Sequence, residues 1–326
     1  MNGMGEPKPA FQFAFEPNFP IILGVNKPTA QTNSYLPYLA LIGVQFFFGT
    51  GPVVGKIVLK QIPAVGLVGF RIGITALVLV AIQALRKRFW LPEKSDYWKL
   101  AILSLFGVTL NQLFFVLGLS FTTASNTALL AVTIPVFALA AGAVAGIEKI
   151  RAIKVFGILL AAGGVLLIID PRKASFTSDT TLGDLLIIAN SLCYGIYVAT
   201  SKTIVSRNGA FRSTMWIFIF AAIICMPLGI YSMSSVDLNS VEPNIWLLVA
   251  YSAIGVTVAP YLLTAWAIAR VNPSTVAVFI YLYPIIAFIL AVIFLGERID
   301  LKFVGATILI FTGVFLVLKR RQMKPE

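Results

Sequence analysis

Residues 282–298 read LYPIIAFILAVIFLGER, an apolar run entered through Tyr283-Pro284 and closed by Gly296-Glu297-Arg298. From Pro284 to Leu295 no side chain carries a charge or an amide. A half-buried strand alternates apolar and polar residues, and this run does not. Extended upstream, it forms an apolar segment over 273–295, and a bilayer core takes roughly 20 apolar residues per helical crossing. The segment is therefore read as a transmembrane helix. In lipid a helix satisfies its own backbone hydrogen bonds, and barrel strands would be shorter and alternating.

The run has a twin. Residues 133–149 read TIPVFALAAGAVAGIEK, with Pro135 thirteen residues before Glu148-Lys149-Ile150, as Pro284 stands thirteen before Glu297-Arg298-Ile299. Gly107-Val108-Thr109 pairs with Gly255-Val256-Thr257. Gly49 precedes Lys56 by seven residues, as Gly195 precedes Lys202. These collinear matches at offsets of 146 to 149 residues predict two homologous units.

Outward from these anchors, the hydropathy pattern predicts ten spans, at 36–59, 63–85, 98–119, 122–146, 152–169, 182–204, 212–231, 245–268, 273–295 and 301–318. The fold class is then an all-α membrane protein of ten transmembrane helices in two five-helix repeats, 35–170 and 180–319. Five is odd, so the second repeat enters the membrane inverted. Secondary transporters use this arrangement, with the substrate near the midplane where the repeats meet. Residues 1–34 are polar, contain several prolines and hold an apolar run too short to span, so a disordered cytoplasmic tail is expected. Residues 320–326 form a short basic tail.

Composition agrees. Of 326 residues 59% are hydrophobic and 12% charged, against about 25% charged in soluble domains. The mean hydropathy is +0.92. The net charge of +12 does not imply nucleic acid, because Lys and Arg concentrate in the breaks between apolar runs, where they orient helices. With the N-terminus inside, the inner side holds Arg86-Lys87-Arg88, Lys149, Arg151, Lys154 and Lys319-Arg320-Arg321. The outer side holds fewer: Lys56, Lys60, Arg172, Lys173, Arg298 and Lys302. Both termini are expected in the cytoplasm, with the chain in the cell (inner or plasma) membrane.

The chain has no histidine, which removes Ser-His-Asp and Cys-His catalysis and the usual zinc sites. Cys193 and Cys225 fall in apolar stretches and are expected to be reduced and buried. No Gly-rich Lys-Ser/Thr loop offers a site for ATP. No cofactor or metal is expected, and no enzymatic activity. A lipid-group transferase would want metal-binding carboxylates in a membrane-edge loop, and these loops are short. A scaffold without transport would not need polar residues spread over six spans.

The motifs also resemble a family. Gln45-Phe46-Phe47-Phe48-Gly49-Thr50-Gly51-Pro52-Val53-Val54 resembles the small-and-aromatic first-helix motif of the EamA family, within the drug/metabolite transporter superfamily. Phe70-Arg71 stands where that family often has an arginine. Thr122-Thr123-Ala124-Ser125-Asn126 resembles the polar start of its fourth helix. Leu295-Gly296-Glu297-Arg298 resembles the Gly-Glu-Arg that ends its ninth, with Gly146-Ile147-Glu148-Lys149 a looser counterpart. The resemblance covers about 36–319. It implies export or exchange of small solutes (amino acids, nucleotides, sugars or small toxic compounds) without choosing among them; alternating access is expected, with an amino acid or related organic solute foremost if Arg71 faces the cavity and a lipophilic-cation drug as the alternative. It also implies a cavity lined by the first, third, fourth, sixth, eighth and ninth helices.

Arg71 is the most informative candidate. A charge at helix centre costs roughly 2.5–3.5 kcal/mol on insertion scales and usually faces a cavity. There it would meet an anionic group of the substrate, a carboxylate or phosphate, or a gate residue; otherwise it snorkels to the outer surface or pairs with a helix C-terminus. The uncharged candidates are Gln45, Thr50, Asn111, Gln112, Asn126, Asn190, Tyr194, Tyr261 and Tyr281, since lipid-facing amides are costly. Asn111, Asn190 and Tyr281 are preferred among them. Lys56 and Lys202 are gate candidates or interfacial lysines. Pro135 and Pro284 are hinge or static-kink candidates. Glu148 and Glu297 are expected to cap helices or pair with neighbouring bases. Asp170 and Asp184 stand near span ends, so no deep carboxylate is expected, which leans toward facilitated transport or exchange. Gly51 with Gly55, Gly69 with Gly73 and Gly142 with Gly146 allow close helix approach, within the chain or across a homodimer.

Overall fold

The computed structural model of the chain describes residues 35–85, 91–146, 152–169, 179–260, 263, 267, 279 and 282–318. Expectations for the tails, the basic breaks at 86–88 and 319–321, Glu148, Lys149, Arg151, Asp170, Arg172, Lys173, Tyr261 and Tyr281 lie outside the described residues.

All regular structure among the described residues is helical. Helix α1 covers Leu36–Val58 and α2 Ala64–Leu85. The third span opens with a 3-10 turn at Lys94–Asp96 and runs as α3, Tyr97–Ser104, through a π-helical turn at Leu105–Thr109 into α4, Leu110–Phe121. Helices α5, Ala124–Ala131, and α6, Ile134–Val144, form the fourth span. Then come α7, Ala152–Ile169, α8, Asp179–Asn208, and α9, Ala210–Met233. Helix α10, Pro243–Ala253, continues into a second π-helical turn at Ile254–Val258. Helices α11, Leu282–Leu295, and α12, Leu301–Leu318, complete the described fold.

Six of these segments are long and apolar enough to cross a membrane: Leu36–Val58, Ala64–Leu85, Lys94–Phe121, Ala124–Val144, Asp179–Ser201 and Phe211–Met233. Four shorter apolar helices accompany them among the described residues. Leu77, Ile223, Leu247 and Phe294 stand exposed on the outside of the bundle. Outward apolar surface of this kind fits lipid and would be a liability in water.

The fourth span departs from the expected single kinked helix. It breaks at Val132 and Thr133, and Pro135 stands in the first turn of α6. Proline has no N–H to bond backwards, so the first turn is where a helix tolerates it. Thr133 Oγ1 donates to the Leu130 carbonyl at 2.6 Å and so satisfies an acceptor at the break. Gly146 (φ 69°) follows α6 and Gly296 (φ 66°) follows α11. Both take the left-handed conformation that terminates helices and favours glycine.

Helices pack through small residues. Helix α2 lies along α9, where a Cβ on Gly69 would fall 2.8 Å from the Gly229 Cα. Helix α7 lies along α12: Gly164 faces Ala306 and Ile310, and Gly313 faces Gly157 and Ala161. Helix α1 lies along α11, with Gly49 against Ile286 and Ala287. Helix α8 lies along α6, with Gly195 against Phe137 and Ala138. Helix α4 also runs along α8. Cys193 and Cys225 are free and buried, as expected.

Candidate substrate site

Arg71 does not snorkel to the edge of the bundle. It is half-buried on α2, and its Nε donates to Thr257 Oγ1 at 3.0 Å. Thr257 lies in the second π-helical turn, and its hydroxyl donates to the Ser252 carbonyl five residues back, at 3.1 Å. The wider turn leaves a carbonyl that the threonine side chain satisfies, and the same oxygen then accepts from Arg71. One turn along α2, Thr75 Oγ1 reaches the Ala253 carbonyl at 3.5 Å. Tyr283, on α11, lies within electrostatic range of Arg71. Among the described residues no carboxylate pairs with Arg71.

Beside this group, the Thr50 hydroxyl on α1 meets the Tyr251 hydroxyl at 2.8 Å. The Phe47 and Tyr251 rings lie 6.3 Å apart. Gly51 leaves room for the π-turn, since a Cβ there would fall 2.9 Å from Val256. Four elements therefore converge: α1, α2, α10 with its π-turn, and α11. The arrangement offers a cation, hydroxyls and aromatic faces. It can bind an anionic or zwitterionic solute and contains no nucleophile–base pair.

The other candidates divide. Asn111 and Asn190 are buried and occupied with each other: Asn190 Nδ2 donates to the Asn111 carbonyl at 2.8 Å, and Asn111 Nδ2 to the Asn190 carbonyl at 3.4 Å. They clamp α4 to α8. Gln112, next on α4, buries its Oε1 without a partner. Tyr194 stacks near Tyr197 at 5.4 Å, and Gly107 of the first π-turn abuts Tyr197. Gln45 is buried on α1. Lys202 lies on α8, with its side chain outside the described residues. Lys56, at the end of α1, donates to the Ser120 carbonyl at 3.4 Å and lies within electrostatic range of Glu297.

Two polar clusters were not legible beforehand. At one end, Asp96 is fully buried, ion-paired with Arg207 and Lys99, and accepts from Asn208 Nδ2 at 2.9 Å. At the Lys56 end, Asp184 stands near the start of α8 as expected, yet its side chain is 1% exposed. Its carboxylate accepts from Thr122 Oγ1 at 2.5 Å and from Asn126 Nδ2 at 3.2 and 3.3 Å. The sequence placed Asp184 only near a span end; the packed α4–α5 junction buries it. Glu297 caps a helix, and the helix belongs to the other half of the chain. Its two oxygens accept from the N–H groups of Ala124 and Ser125 at 2.7 and 3.0 Å. A carboxylate at a helix N-terminus satisfies donors that the helix cannot.

An all-helical bundle with described helices long and apolar enough to cross a bilayer is that of a multi-pass membrane protein. The chain belongs to the EamA-like transporter family, which matches residues 36–170 and again 181–319. An uncharacterized transporter of Archaeoglobus fulgidus is 28% identical over 80% of this chain and 90% of its own length. The uncharacterized transporter YetK of Bacillus subtilis is 27% identical over 87% of this chain and 88% of its own. A WAT1-related protein of Arabidopsis thaliana is 22% identical over 86% and 84%. A solved crystal structure shares the fold at a TM-score of 0.56 and 20% identity, covering 86% of this chain and 96% of the other. The family and the two prokaryotic relatives carry transporter names, which indicate a transporter rather than an enzyme.

Proposed function

We propose that the protein moves a small organic solute bearing a carboxylate, with an amino acid as the leading candidate, by alternating access in ten helices built as two inverted five-helix repeats. The observation that carries the substrate class is Arg71. It is a half-buried guanidinium inside a span, held by a neutral hydroxyl and given no carboxylate partner among the described residues. A desolvated charge without a protein counter-ion is costly, and a substrate anion supplies the missing partner. A lipophilic-cation exporter fits this site less well, because Arg71 repels such a solute.

Paired contacts support the repeat. Gly49 against Ile286 and Ala287 corresponds to Gly195 against Phe137 and Ala138, at the offsets already seen in the sequence. Gly164 and Gly313 make corresponding contacts at the α7–α12 crossing. The two π-helical turns, Leu105–Thr109 and Ile254–Val258, fall on the matched Gly-Val-Thr segments. Exchange of open ends between such repeats needs no covalent chemistry.

The test is ligand-dependent thermal stability of the purified protein. A ligand binding only the folded state stabilises it by about 2.7 kcal/mol at a hundred times Kd. A panel of amino acids, organic acids, nucleotides, sugars and lipophilic cations is expected to raise Tm only with carboxylate-bearing members. Arg71→Ala should fold and lose that shift. Stabilisation by cations alone, or an unchanged shift in Arg71→Ala, would overturn the assignment.

A further inference from the structure

We infer that Asp184 is a proton-binding site whose protonation unlatches α8 from the α4–α5 junction.

The geometry is that of a latch. Asp184 is buried, and its hydrogen-bond partners among the described residues are neutral donors on the neighbouring junction, the Thr122 hydroxyl and the Asn126 amide. An ionised carboxylate is acceptor-only and matches two such donors. Protonation takes a proton from water, forms one O–H bond and turns an acceptor into a donor facing the Asn126 N–H. The bonds joining α8 to the junction weaken.

The surroundings fit this role. From α4, α5 and α6, the neighbours packed on this end of α8, no charged side chain is described. Asp179 is the other acid on this turn of α8, and it is exposed. Glu297 holds the first turn of α5 through the N–H groups of Ala124 and Ser125, with Lys56 in its electrostatic range, and Arg298, Asp300 and Lys302 follow it exposed. The chemistry differs at the far end of α8, where Asp96 has Arg207 and Lys99 as counter-ions. An acid with fixed counter-ions stays ionised; Asp184 has none among the described residues. Ser125 Oγ, buried in the same first turn of α5, is also without a partner.

Two readouts test this in lipid-reconstituted full-length protein, neither using a solute. In an infrared pH-difference spectrum, a carboxylic-acid C=O band should titrate, vanish in Asp184→Asn and persist, displaced, in Asp184→Glu. In a Cys193→Ala, Cys225→Ala background carrying Ser125→Cys, an impermeant maleimide should label slowly at high pH. Relative to the same background with Asp184→Asn, which shares the reagent's own pH dependence, labelling should accelerate at least about tenfold as pH falls, as expected when a hydrogen bond to a charged group is lost. A missing band, a band retained in Asp184→Asn, or a labelling ratio flat with pH would overturn the proposal. Any of these leaves the transporter assignment untouched, whereas a failed ligand panel removes the Arg71 site and leaves these results standing.

Discussion

At the scale of single residues, similar side chains do opposite work. Arg71 and Arg207 are both arginines on long helices, but Arg207 has a buried aspartate and Arg71 has a threonine. One is a fastener and the other an open valence. Arg71→Lys should keep part of the ligand-induced Tm shift, since the charge remains but the planar fork is lost. The asparagine pair belongs with the fasteners. Asn190→Leu should lower stability by about 1–3 kcal/mol in thermal unfolding, the cost of stranding a buried polar partner, and should leave the ligand shift intact. Arg71 was legible because a charge inside a span is costly wherever it occurs. The mutual capture of Asn111 and Asn190 was not, because which amide meets which carbonyl depends on how α4 and α8 are set against each other. Burial of Asp184 was hidden for the same reason: a residue near a helix end is exposed or buried according to what packs over it.

At the scale of elements, the sequence spoke through glycine, proline and the Gly-Glu-Arg ending. Span positions were readable within a few residues, as for α1 and α2, because hydropathy averages over a whole helix. The break before Pro135 was visible only as a kink. The π-turns were marked by repeated Gly-Val-Thr segments, but an extra residue in a turn leaves no compositional trace. Gly69→Val, at the crossing with Gly229, should cost about 1–3 kcal/mol by overpacking, read as a fall in Tm. Glu297→Gln keeps the shape of the cap and removes its charge. It should cost about 0.5–2 kcal/mol, the range of a lost helix cap, and the loss should appear in chemical unfolding of the intact bundle.

At the scale of the molecule, helices from both halves are tied together where function is proposed. Glu297 of the second half caps α5 of the first, and Thr257 of the second half holds Arg71 of the first. The proposed movement of the halves would have to remake these contacts. Arg71 is proposed to bind the anionic group of a transported solute. The most direct measurement is counterflow of radiolabelled amino acids into proteoliposomes loaded with the unlabelled mixture, comparing the native protein with Arg71→Ala at equal incorporation and equal thermal stability without ligand. Transient accumulation of label by the native protein, lost in Arg71→Ala, is the predicted result. Counterflow of equal size in both would contradict the claim.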